Sequence, residues 1–177
     1  KNIVEDTLID VKFSGLSWKG NDGFYYSSYD KPKDGSQLSG LTQYHKLFYH
    51  KLKTPQASDK LIFCGEKTPR RYVSGGVTED ENFMVISAAT STTGNELYIQ
   101  DLRKPGSPII NLVNNFENDH SVLHSEGDKL FIQTNLGAPN GKVMTAVFPN
   151  ATPETWEEFI PETEHVLRAE TAGGKFF

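Results

Sequence analysis

The chain has 177 residues, with 18 Lys and Arg against 23 Asp and Glu and a net charge of −5, the size of one ordinary domain. Val, Ile, Thr and the aromatics supply 53 residues against only 8 Ala, a balance that favours pleated sheet over helix. The mild acidity lacks the cationic footprint of nucleic-acid binding, and no apolar run approaches the roughly 18 residues of a membrane-spanning helix. A single cysteine, Cys64, excludes an internal disulfide framework and a multi-cysteine zinc site.

In chain order, residues 1–9 read as an outer strand. Residues 11–18 and 24–29 form two strands across a turn at 19–23, and alternating runs at 46–52 and 60–64 add two more. A long connection at 30–44, rich in Gly, Ser, Lys and Pro, separates the second strand from the third. The same plan returns at 72–77, turn 78–82, then 83–88, 96–102 and 109–113. It returns again at 121–124, turn 125–129, then 130–134, 142–148 and 156–160. The third runs begin at Lys46, Glu96 and Lys142, 50 and then 46 residues apart. Four short strands at a period of about 45 to 60 residues match a propeller blade. Runs such as Phe83-Met84-Val85-Ile86 do not alternate, as expected where both faces of a sheet are covered.

The expected fold is therefore all-β: a partial, open β-propeller of four-stranded antiparallel blades. Residues 10–65, 70–115 and 119–162 would be complete blades. Residues 1–9 and 165–177 would belong to the preceding and following ones. Closed propellers have about four to eight blades, so three blades and two stubs, starting at Lys1, read as part of a longer chain.

The residues also point to a family. The stretch V-K-F-S-G-L-S-W at 11–18, followed by D-G-F-Y-Y-S-S-Y at 22–29 and K-L-F-Y-H-K-L at 46–52, resembles the propeller of prolyl oligopeptidases. N-F-E at 115–117, T-N-L-G-A-P-N-G-K-V at 134–143 and P-E at 161–162 continue the likeness in the same order. It implies the middle blades of a seven-bladed propeller attached to a serine peptidase that cuts short peptides after proline. By the same likeness, an α/β-hydrolase domain of the parent chain carries a Ser/Asp/His triad, and the propeller caps that site and filters substrates by size. The expected partners are that hydrolase domain and short proline-containing peptides. No cofactor, metal, nucleic acid or membrane is implied, and no compartment is indicated. Two other readings stand beside it: a non-catalytic propeller scaffold that binds a protein or ligand, and the propeller of a related dipeptidyl- or basic-residue-cleaving peptidase.

The chain contains no G-x-S-x-G nucleophile elbow. Ser74, in V-S-G-G, lacks the preceding glycine, so no catalytic residue is expected here. His120 and His124, four apart on a strand, would share a side but lie about 13 Å apart at some 3.3 Å per residue, with no third metal ligand implied. His45 and His50 read as packing or surface residues, and Cys64 as a small buried one. Asn150-Ala151-Thr152 matches a glycosylation sequon that carries no weight without a eukaryotic secretory origin.

Up-and-down topology places the connections between strands 2 and 3, and those leading into strand 1, at one end of each sheet. Phe13, Tyr72, Thr92 and the loops 30–44 and 135–141 fall there, and long irregular loops are where function concentrates. The family resemblance implies that Phe13 lines the substrate pocket, and Tyr72 and Thr92 align with two further pocket positions. A propeller portion with uncovered apolar faces and free strand edges is also expected to self-associate.

Overall fold

The computed structural model describes residues 7–30, 43–64 and 67–177. Residues 1–6 of the strand expected at 1–9 and most of the loop expected at 30–44 lie outside the described residues, and residues 7–9 form no strand. Among the described residues, the regular secondary structure is sheet apart from two short 3-10 turns. Strands β1 (Leu16–Lys19), β2 (Gly23–Ser28), β3 (Lys46–Lys51) and β4 (Lys60–Cys64) form one sheet in sequential order. Strands β5 (Tyr72–Val77), β6 (Phe83–Ala89), β7 (Glu96–Asp101) and β8 (Ile109–Val113) form a second. The third holds β9 (His120–Glu126), β10 (Lys129–Thr134), β11 (Lys142–Val147) and β12 (Glu157–Ile160), and a hairpin of β13 (Thr171–Ala172) and β14 (Lys175–Phe176) follows. Two single 3-10 turns, at Gln56–Ser58 and Pro153–Thr155, precede the last strands of the first and third sheets.

The chain divides into two compact units, residues 1–76 and 77–177. In the first, all six residues of β2 are buried, so this inner strand is covered on both faces and its lack of alternation has a physical cause. Its aromatics pair across the ladder: Tyr25 opposes Tyr49 with ring centroids 4.9 Å apart, and Tyr26 opposes Phe48 at 5.7 Å. Such pairs add about 0.5–1.5 kcal/mol each beyond area burial. Gly75 lies against Leu47, where an added Cβ would come within 2.5 Å of Cδ2.

In the second unit, Phe83, Leu97, Ile99, Leu112, Leu130, Ile132 and Trp156 belong to one core cluster. A smaller cluster of Phe131, Val143 and Ala169, with Leu123 and Phe176 against it, lies on the other face of the third sheet. The β13–β14 hairpin turns through Gly173 and Gly174, both at positive φ, and both amides point to the Glu79 carboxylate.

Two sequence expectations are corrected. The first strand does not run from 11 to 18, because β1 begins at Leu16. Phe13 has φ of 54°, which breaks the extended path, and the Ser14 Oγ takes the Ser27 amide at 2.7 Å in place of a ladder bond. The turn expected at 125–129 is also tighter. Glu126 pairs with Lys129, leaving the two-residue loop Gly127-Asp128 with Gly127 at φ of 60°, which suits a hairpin.

Candidate functional site

The sequence-chosen residues are placed by the segments that enter and connect the strands. Phe13 sits three residues ahead of β1, Tyr72 opens β5, and Thr92 lies in the connection between β6 and β7. Phe13 and Tyr72 come together: their rings meet edge to face with centroids 5.4 Å apart. Phe13 is 60% and Tyr72 42% exposed. The Lys12 ammonium lies 5.1 Å from the centre of the Phe13 ring and 5.6 Å from that of Tyr29. Thr92 is exposed and belongs to the second compact unit.

Below the pair lies His45, the residue immediately before β3. Its Nδ1 accepts the Val73 amide at 2.9 Å, and its Nε2–H donates to the Lys12 carbonyl at 3.1 Å. Burial holds its pKa below the ordinary histidine value, and the Val73 donor requires an unprotonated Nδ1. Sequence reasoning left His45 as a packing residue. The only available signal was its place at the end of the long connection, and its two bonds arise from segments distant in sequence.

The other sequence candidates are not brought together into chemistry. Ser74 is exposed within β5. His50 is buried and bonded through Nδ1 to the Asp59 carboxylate at 2.7 Å. Cys64 is half-buried at the end of β4. The expectation that His120 and His124 share a side is overturned. A bulge in β9 opposite Phe131 and Ile132 inserts one residue and inverts the side-chain alternation between them. His120 packs on Trp156 at 5.5 Å, while His124 meets Phe131 and Phe176 on the opposite face. Among the described residues, no group of three or more His, Cys, Asp or Glu could hold a metal ion.

Successive four-stranded antiparallel meanders, each with its strands in sequential order, define a β-propeller. The chain belongs to the prolyl oligopeptidase N-terminal β-propeller family, whose model matches residues 1–177. It is 50% identical over 177 residues to a prolyl endopeptidase of Elizabethkingia miricola and 47% identical to one of Elizabethkingia meningoseptica. In both cases the match covers 100% of this chain and 25% of the relative, so the chain spans about a quarter of the length of these proteins. A solved prolyl endopeptidase structure superposes with a TM-score of 0.83 at 26% identity, over 96% of this chain and 24% of that one. Prolyl oligopeptidase B from Galerina marginata, solved with a 25mer macrocyclization substrate, reaches a TM-score of 0.83 at 24% identity and shares the fold.

Proposed function

We propose that this chain is the non-catalytic propeller portion of a prolyl oligopeptidase-like serine peptidase that cleaves short peptides after proline. Residues 10–65, 70–115 and 119–162 act as blades of that propeller. It covers the mouth of a hydrolase domain elsewhere in the parent chain and limits entry by size. The observation that carries the reading is the Phe13–Tyr72 pair: two large aromatics left exposed at the connection end of the strands. Large rigid rings at a rim suit the apolar face of a proline or a neighbouring side chain.

Phe13 touches no developing charge in this reading, so its loss removes binding common to substrate and transition state. In the full-length protein, Phe13→Ala is expected to raise KM with kcat nearly unchanged. Truncating such a contact costs about 1–3 kcal/mol, or roughly 5- to 150-fold in kcat/KM. Because Phe13 is mostly exposed, the melting temperature should move little. Unchanged KM for peptides long enough to reach this rim would sink the assignment.

The isolated chain is also proposed to associate with itself through its exposed apolar side chains.

A further inference from the structure

The exposed pair rests on backbone in an unfavourable conformation. Phe13 has φ of 54°, and Asp10 and Tyr44, on the segments that lead to Phe13 and His45, have φ of 60° and 54°. Such angles are uncommon for side-chain-bearing residues outside turns; Lys53 and Glu81, the other two described residues that hold them, lie in hairpin connections. On one side of Phe13 the Ser14 hydroxyl accepts the Ser27 amide. On the other side the Lys12 carbonyl, part of the peptide that enters Phe13, accepts from His45 Nε2. The opposite edge of the same imidazole takes the Val73 amide, part of the peptide that leaves Tyr72. The ring also lies edge-on to Tyr72, with centroids 5.8 Å apart. One neutral tautomer satisfies both bonds in a site where the side chain is 2% exposed.

We infer that His45 is a positioning residue for the substrate-facing rim: its imidazole joins the peptide before Phe13 to the peptide after Tyr72 and so fixes the geometry of the exposed aromatic pair. The inference rests on the reading of that pair given above. The second sheet supplies a contrast at the same place in the repeat. Asn95, immediately before β7, accepts the His120 amide at 2.8 Å and donates to the His120 carbonyl at 3.1 Å. Its short amide fastens one residue of one neighbouring strand. Only the longer, two-edged ring at position 45 spans two separate segments, and those two segments carry the two aromatics.

The test uses the full-length protein with His45→Ala, His45→Asn, His45→Gln, Phe13→Ala and the double variant of His45→Ala with Phe13→Ala. Asn places an acceptor where Nδ1 sits, and Gln places a donor near Nε2. Amide exchange read by mass spectrometry is expected to quicken about tenfold or more at residues 10–16 in His45→Ala and His45→Asn. At residues 72–75 it should quicken in His45→Ala and His45→Gln. Each conservative variant should therefore rescue one segment only. KM for a proline-reporter peptide should rise roughly 2- to 10-fold in His45→Ala, the effect of one or two lost hydrogen bonds, with kcat close to the parent value. The double variant should fall short of the product of the two single effects, because part of the His45 effect passes through the Phe13 ring. Unchanged exchange in both segments of His45→Ala overturns the inference, as does independent multiplication of the two KM effects. If His45→Ala fails to fold, equal loosening of both segments in the Asn and Gln variants overturns it. Loosened segments together with a Phe13→Ala variant of unchanged KM would sink the substrate role of the pair while upholding His45 as what positions it.

Discussion

At Gly94 the backbone takes φ of 75°, its amide donates to the Asp119 carboxylate at 2.7 Å, and a Cβ would overlap the Phe116 carbonyl oxygen. An alanine there meets two costs together. The left-handed conformation costs about 1–2 kcal/mol, and the clash with fixed backbone adds about 1–3 kcal/mol of overpacking. Gly94→Ala is expected to lower stability by about 3 kcal/mol, read as a fall in the urea midpoint. A loss below about 1 kcal/mol would show that the 115–119 segment yields freely. A different residue-scale device sits in the first unit, where Asp59 receives both the His50 ring nitrogen and the Tyr26 hydroxyl at 2.7 Å. Burial and that bond push the Tyr26 hydroxyl up to about 12, so it remains a donor throughout the ordinary pH range.

Each sheet repeats one irregularity: the ladder between its third and fourth strands slips by one residue. The slip falls after Leu47, Leu97 and Val143 on the third strands, and these three side chains are fully buried. The bulge re-aims the outer strand around a fixed apolar anchor. In the second unit a charged clamp joins the turn after β7 to the β9–β10 hairpin. Arg103 forks onto the buried Asp101 carboxylate at 2.8 and 3.1 Å and reaches Asp128 at 2.7 Å, with its guanidinium 4.8 Å from the Phe83 ring centre. Its hydrogen bonds hold the Asp101 carboxyl below the usual carboxylate value. A depressed folded pKa means the unfolded chain binds the proton more readily. This stabilisation is therefore complete above about pH 4 and lost as pH falls through the folded value. Asp101→Asn should cost about 1.5–3 kcal/mol at neutral pH, the range for hydrogen bonds to charged groups, and should flatten the acid limb of a stability-against-pH curve. An acid limb as steep as the parent's would remove Asp101 from that role. Strand positions were legible because apolar runs and Gly/Asp turns are local signals; the resemblance offered Phe13, Tyr72 and Thr92 as candidates, and the rings of the first two meet in the structure. The bulges were not legible: a one-residue slip leaves composition unchanged, and it is what sent His120 and His124 to opposite faces. Nor was the His45 link, which joins residues 33 and 28 positions away.

At the scale of the whole chain, apolar surface remains uncovered. Leu16 is 64%, Trp18 54%, Phe159 46% and Phe177 76% exposed. Among the described residues, the last strands of the first and third sheets, β4 and β12, stand at the edges of their sheets. Strand edges beside exposed apolar side chains offer a template for strand pairing with another chain. Burying a few hundred Å² of such surface yields several kcal/mol at about 25 cal/mol per Å². Much of that is spent on lost translational freedom and side-chain ordering, so weak, concentration-dependent association is expected rather than a tight defined oligomer. Sedimentation velocity of the isolated chain from low to high micromolar concentration should show the average mass rising continuously. Leu16→Lys and Phe177→Lys, which place charges on these surfaces at largely exposed positions, should each shift that rise to higher concentration without lowering the melting temperature. A single monomeric boundary across the whole range would show that the exposed side chains do not drive contact. A concentration-independent dimer would point instead to one complementary interface.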